Sequence, residues 1–269
     1  MIVVTGATGN VGRPLIETLA AAGEQVRAVS RQAVAGAQSY PADMSQPETL
    51  KPALDGAEAA FLMTPPDFLA NGDFGAVVDV VRAAGVQRVV LLSSQGVGTK
   101  RHPSALEDAV TESGLDWTIL RPGNFSSNAF QWAESVRTRR VVEAPYGDVG
   151  LPAVDPADIA AVAAVALREP GHGGNIYTLT GPEAIGPRQM AAAIAKAIGE
   201  PVQFVELTHD EARARMLGYM PEPVVDATLG VLGTPSAAEQ AVNPDVERIL
   251  ARPARPFTDW AARNAPAFA

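Results

Sequence analysis

Met1-Ile-Val-Val-Thr5-Gly6-Ala-Thr-Gly9-Asn-Val-Gly12 decides the fold. A short apolar run of strand type meets three glycines at intervals of three, and a segment of helical period, Val11 to Ala22, begins inside the triplet. A bare glycine triplet is a weak signal. Strand, turn and helix in that order make it specific, because main-chain N–H groups and the positive end of the helix then converge where a diphosphate would sit. Gly6 allows the tight turn, Gly9 a close approach to phosphate and Gly12 close packing of helix on strand, with Thr8, Asn10 and Val11 completing the loop. The competing reading is a glycine-rich turn with no ligand.

Outward from this stretch, branched apolar runs alternate with alanine-rich segments of helical period, the pattern of a parallel sheet with crossover helices. Strands are predicted at Ile2 to Thr5, Gln25 to Val29, Ala59 to Met63, Arg88 to Ser93 and Trp117 to Leu120. Helices are predicted at Val11 to Ala22, Gln46 to Leu54, Asp73 to Ala84 and Ala105 to Ser113, each followed by a glycine (Gly23, Gly56, Gly85, Gly114) where a C-terminal cap belongs. Beyond Pro122 the alternation breaks into loops. It resumes with Asp155-Pro-Ala-Asp158 opening a helix to Leu167, then a strand at Ile176 to Thr180. A helix near Arg188 to Ile198, a strand at Val202 to Val205 and a helix capped by Thr208 and Glu211 begin a second lobe, whose last sixty residues are poorly periodic.

About twenty residues past the glycines, an acidic side chain normally meets the adenosine ribose. Here Ser30 and Arg31 occupy that place, and a hydroxyl with a guanidinium suits a 2'-phosphate, favouring NADPH over NADH. Arg31 pointing into water is the alternative. Asp43, followed by Met44, is read either as meeting the adenine edge or as a plain helix N-cap.

The 269 residues are 47% hydrophobic and 19% charged, a soluble globular composition. A net charge of -9 without a long basic run argues against nucleic acid, and the basic spot at Arg137, Arg139 and Arg140 reads as a solvated helix end. No cysteine is present, which removes disulfides and thiolate chemistry and fits a reducing cytosol. The first residues lack the features of a signal peptide, and the apolar stretch Ile159 to Leu167 is about half the length that spans a bilayer. The expectation is a cytoplasmic protein without membrane contact. High alanine, arginine and proline content hints at a GC-rich bacterial source.

With the glycine loop, Phe61-Leu-Met-Thr-Pro-Pro66, Ser93-Ser94 and Trp117-Thr-Ile-Leu-Arg-Pro-Gly-Asn-Phe125 occur in that order, and the chain resembles the NmrA-like branch of the atypical short-chain dehydrogenases. The likeness runs almost end to end and includes Asp158 and Tyr177-Thr-Leu-Thr-Gly181-Pro. It implies an α/β fold with a doubly wound parallel sheet and a smaller, mostly C-terminal substrate lobe. Residues 1–124 and 155–180 would form the dinucleotide domain, and 125–154 with 181–269 the lobe. It further implies that Met63, Thr64 and Pro65 pass along the cofactor, that Ser93 and Ser94 end a strand beside the nicotinamide, and that Gly123, Asn124 and Phe125 border it. Phe61 and Leu62 read as core, Trp117 and Arg121 as structural, the arginine satisfying backbone carbonyls near the sheet edge.

Ordinary short-chain dehydrogenases use a tyrosine whose pKa is lowered by a lysine four residues later. Tyr40, Tyr146, Tyr177 and Tyr219 are followed at that spacing by Met44, Gly150, Gly181 and Pro223, so the pair is missing. Lys100 and His102 lie in the corresponding region as candidate catalytic residues, against the alternative of a surface loop. Quinones and azo dyes accept hydride into a delocalised system and can take their proton from water, so reduction survives the loss. The histidines His102, His172 and His209 lack metal-binding spacing, and no metal is expected. Asn128, Phe130, Trp132, Tyr219 and Met220 are the substrate-pocket candidates, the aromatics equally readable as core. The reading is an NADPH-dependent reductase of a conjugated, quinone-like or aromatic small molecule, possible as a homodimer. Its alternatives are a redox sensor contacting a protein partner, or a ketone or imine reductase using Lys100 or His102.

Overall fold

The computed structural model describes residues 1–30, 34, 37–65, 68 and 72–269. In chain order the strands and longer helices are β1 (Ile2–Thr5), α1 (Gly12–Ala21), β2 (Val26–Val29), β3 (Gln38–Tyr40), β4 (Ala59–Leu62), α2 (Phe74–Ala83), β5 (Arg88–Leu92), α3 (Ala105–Thr111), β6 (Asp116–Pro122), α4 (Ala133–Arg139), β7 (Val141–Pro145), α5 (Pro156–Arg168), β8 (Asn175–Leu179), α6 (Pro187–Ile198), β9 (Gln203–Leu207), α7 (His209–Met216), α8 (Glu222–Gly233) and α9 (Phe257–Arg263). They fall into two compact units. The first comprises Met1–Pro122, Pro156–Leu179 and Asp245–Arg252; the second comprises Gly123–Asp155, Thr180–Pro244 and Pro253–Ala269.

The first unit is built on a seven-stranded sheet in the order β3-β2-β1-β4-β5-β6-β8, parallel throughout. Strands β1 and β4 are buried at every position, as expected of a parallel sheet covered on both faces. Leu15, Ile16 and Leu19 form the buried stripe of α1, which packs with α5. Leu50, Ala53 and Leu54, with Val77, Val78 and Val81 of α2 and Val110 of α3, share one apolar cluster with Val3, Ala60, Leu62, Val89 and Ile119 of the sheet. The doubly wound sheet expected from the sequence is therefore present. Strand β3 is an addition: Gln38-Ser-Tyr40 has no apolar alternation to announce it, and its pairing with Arg27 to Val29 defines it.

The strand order reverses at β1, whose neighbours are β2 and β4, so the loop after β1 opens at a topological switch point. Segment Asp245–Arg252 belongs to this unit through side-chain contacts with its elements. The Thr178 N–H donates to Asp245 Oδ2 at 2.9 Å, and Arg252 donates to the fully buried Asp158 at 2.7 Å.

In the second unit β7 and β9 pair in parallel, Val141 opposite Gln203 and Pro145 opposite Leu207. The sequence reading leaves residues 125–154 as loop, and the structure corrects this with α4 and β7. Alternating burial at Val142 and Ala144 becomes a strand signal only when the distant β9 supplies the partner. The apolar core joins Trp132, Val136 and Val142 to Ile194, Phe257, Trp260 and Phe268. The basic spot finds its partners inside this unit: Arg139 donates to Glu143 at 2.7 Å and Arg140 to Glu200 at 2.6 Å, while Arg137 donates to the Ala267 carbonyl at 2.9 Å. No helix among the described residues is long and apolar enough to cross a membrane.

Candidate active site

The glycine loop is shaped by what it cannot accommodate. Gly6 has φ +62°, where a side chain is strained, and a Cβ there would overlap Cε of Met63. A Cβ on Gly12 would overlap the Gly6 carbonyl oxygen, so α1 can approach the loop this closely only without a side chain. Gly9 donates its N–H to Gly6 O at 2.9 Å, and Arg13 N–H returns to Gly9 O at 3.1 Å. The N-cap Val11 makes no side-chain cap hydrogen bond and the first turn of α1 carries no acidic residue. This cradle, closed to side chains, fits a dinucleotide diphosphate.

Thr5, which the sequence reading leaves as ordinary strand, fixes the loop. Its buried Oγ1 accepts the Met63 N–H at 2.7 Å and lies 3.1 Å from both Phe61 O and Met63 O. The ends of β1 and β4 are thus joined on either side of the switch point, and Met63 is held across Gly6. Thr64 and Pro65 follow, half-buried.

Ser30 lies directly after β2 and donates its N–H to Tyr40 O at 3.2 Å; Arg31 lies outside the described residues. Asp43 is exposed and accepts the Ser45 N–H at 2.9 Å, a local turn contact. The Met44 side chain is buried in the apolar cluster with Val29, Leu50 and Leu54.

At the end of β5, Ser93 donates through Oγ to Glu107 Oε1 at 2.5 Å. Arg121 grips the same carboxylate from β6, Nε to Oε1 at 2.9 Å and Nη2 to Oε2 at 2.5 Å. Its partner is therefore a carboxylate, where the sequence reading expects backbone carbonyls. The hydrogen bond to Glu107 holds the guanidinium above its ordinary pKa, against the opposing effect of burial. Ser94 Oγ accepts the Gly96 N–H at 3.0 Å and caps the short helix Gln95–Gly98. Lys100 and His102 are exposed on the turn that follows, Lys100 at φ +62°. The Arg101 and His102 N–H groups both donate to Gly96 O, at 2.8 and 3.0 Å.

The second unit contains a cavity of about 910 Å³. It gathers Asn128, Trp132, Tyr219 and Met220 of the substrate candidates together with Asn124 and Phe125. Asn128 Nδ2 donates to Asn124 Oδ1 at 2.8 Å, and the Val154 N–H donates to Asn124 O at 2.7 Å, which fixes that edge. Phe130 does not line the cavity. Its ring packs at 4.9 Å from Trp260 and 6.0 Å from Phe268, because the turn at residues 126–132 directs it into the C-terminal aromatic cluster.

Arg139, Glu143, Tyr146 and Arg215 line this cavity, and the sequence reading assigns none of them to it. Glu143 accepts from Arg139 and from Arg215, at 2.7 and 3.0 Å; those two hydrogen bonds pull its pKa down to about 2, with Arg215 the larger cause. Tyr146 lines the cavity at φ +55° and its hydroxyl lies 2.7 Å from Nδ1 of His209. No local spacing links these positions. Among the described residues, no group of three or more histidine, aspartate or glutamate side chains is placed to hold a metal ion.

Residues 6–170, more than half of the chain, match the NAD(P)H-binding family. The chain belongs to the NAD(P)H-binding family. Members similar to it include the (4-alkanoyl-5-oxo-2,5-dihydrofuran-3-yl)methyl phosphate reductase of Streptomyces griseus, 39% identical over all of this chain and 99% of the relative. The NAD(P)H azoreductase of Xenophilus azovorans is 33% identical over the same shares. The crystal structure of an NADPH-dependent quinone oxidoreductase from Escherichia coli, complexed with NADPH, superimposes with a TM-score of 0.81 at 25% identity, covering 98% of this chain and 99% of that one. The first unit of this NAD(P)H-binding protein thus carries its glycine cradle where the family match begins.

Proposed function

We propose that this chain is an NADPH-dependent reductase of small conjugated acceptors. The observation that carries the reading is the Gly6–Gly12 cradle, closed to side chains at Gly6 and Gly12, in a chain alike from end to end to two reductases. The acceptors named for those relatives share one property: an oxo-dihydrofuran with an acyl group and an azo compound both spread incoming charge over a conjugated system. Bound reduced nicotinamide supplies a hydride.

This chain's residues do the rest. Main-chain groups from Gly6 to Gly12, with Thr8, Asn10 and Val11, hold the diphosphate. Ser30 and Arg31 select the 2'-phosphate, with Asp43 and the Met44 backbone nearby. Met63, Thr64, Pro65, Ser93 and Ser94 line the cofactor, Ser93 being held in one orientation by Glu107 and Arg121. Gly123, Asn124 and Phe125 border the nicotinamide, and the cavity holds the acceptor, with Asn128 and Asn124 among its polar contacts and Trp132, Tyr219 and Met220 among its apolar ones. Positioning supplies most of the rate. A cytosolic location goes with this reading, in keeping with the lack of cysteines.

The test mixes purified protein with NADPH and a panel of quinones, azo dyes and acyl butenolides, following cofactor absorbance. Consumption above the uncatalysed rate is expected. Tight NADPH binding by calorimetry with no consumption across the panel would overturn the reductase in favour of a redox sensor.

A further inference from the structure

We infer that Tyr146 is the proton donor of this reductase and that His209 relays protons to it from water. The inference rests on the reductase reading, since reduction creates the need for a proton. Hydride addition to a conjugated lactone leaves an enolate, a strong enough base to profit from a positioned acid. A quinone leaves a hydroquinone anion, which is stable enough to be protonated by solvent.

Of the four tyrosines, Tyr40 packs against Arg27 in the first unit, and Tyr177 is buried, bonded to His172 and stacked on Arg248. Tyr219 sits on the cavity rim, 64% exposed. Tyr146 both lines the cavity and has an imidazole 2.7 Å from its hydroxyl.

Its placement is fixed by the surrounding backbone and packing. The residue holds φ +55°, a left-handed conformation that tyrosine rarely adopts, and such strain concentrates at functional sites. The backbone there is pinned on both sides. Val149 N–H donates to Tyr146 O at 3.0 Å, Gly147 N–H to Glu206 Oε1 at 3.1 Å and Arg188 N–H to Gly147 O at 3.0 Å. The ring lies against Gly233, where a Cβ would come within 2.5 Å of Tyr146 Cζ. His209 is the first residue of α7, exposed to water, behind the Thr208–Glu211 capping box that fixes the start of that helix. Cavity, phenol, imidazole and water therefore follow one another in a line of contacts within a single unit.

The step balances. NADPH gives hydride to the acceptor, the Tyr146 O–H bond breaks and its proton goes to the resulting anion. The phenolate then takes a proton from the His209 imidazole 2.7 Å away, and the imidazole regains one proton from water. Each turnover consumes one NADPH and one solvent proton.

The test uses the full-length protein with NADPH and two acceptors, an acyl butenolide and a simple quinone. Tyr146→Phe keeps the ring and its packing, and thermal melting checks that it folds. We expect kcat with the butenolide to fall roughly a hundredfold, with a loss at least about tenfold smaller for the quinone. His209→Gln lowers butenolide kcat and changes the solvent deuterium isotope effect seen with the wild type. Equal losses on both acceptors, full butenolide turnover by Tyr146→Phe, or wild-type turnover of the quinone alone would overturn the relay while leaving the reductase reading intact. A wild type that binds NADPH yet reduces neither acceptor overturns both.

Discussion

Gly12 stands so close to Gly6 that a Cβ on the first would overlap the carbonyl oxygen of the second. Helix α1 reaches the loop only because this position lacks a side chain. Gly12→Ala must push α1 away from β1, at a cost of about 1–3 kcal/mol for overpacking. Calorimetric titration should show NADPH affinity lowered by roughly tenfold or more. Unchanged affinity would mean the loop is not the diphosphate site.

Thr5→Val keeps the shape of the side chain and removes its hydroxyl. Met63 N–H then loses the acceptor that holds it at 2.7 Å inside the structure. A buried donor left unpaired costs about 1–3 kcal/mol. Urea unfolding should report a loss in that range for Thr5→Val and a smaller one for Thr5→Ser.

Arg121→Met leaves the Glu107 carboxylate, 4% exposed, without its cation. Breaking a buried pair from one side costs about 3–5 kcal/mol, somewhat less here because Arg121 itself is partly solvated. Glu107→Gln, which removes the charge and not the shape, should cost less. The two denaturation midpoints decide the matter, and an order opposite to this one would show that the pair contributes little.

Glu143 has a folded pKa of about 2 against an ordinary value of 4.5, set by Arg215 and Arg139. A depressed carboxylate stabilises the folded state fully above its unfolded pKa and loses that contribution as pH falls through the folded one. The stability difference between the wild type and Glu143→Gln should therefore be flat above 4.5 and shrink from there down to about 2. Chemical denaturation at a series of pH values measures it. A difference that grows on acidification would contradict the pairing.

Arg31→Asp should weaken NADPH by roughly ten- to a hundredfold, the loss of a charge-assisted contact plus repulsion, with NADH little affected. Dissociation constants for the two cofactors provide the comparison. Equal weakening would remove the reason for preferring the phosphorylated form.

Much of the first unit was legible because its information is local. The apolar run into Gly6-Ala-Thr-Gly9, the helical period after it and the glycines past each crossover helix dictate backbone conformations within a few residues of themselves. The same logic failed where signals were not local. Strand β7 needed β9 beside it, β3 carried no apolar alternation, and Phe130 was indistinguishable from a pocket aromatic until its packing on Trp260 was known.

By itself the sequence determined the dinucleotide cradle, the parallel alternation and the missing tyrosine–lysine pair, since each is a matter of residue type at short, fixed spacing. Tertiary structure alone decided that Thr5 meets Met63 across 58 residues, that Tyr146 meets His209 across 63 and that Glu143 meets Arg215 across 72. Such pairs come together through strand register and core packing, which depend on every buried side chain at once. No window of sequence contains that sum.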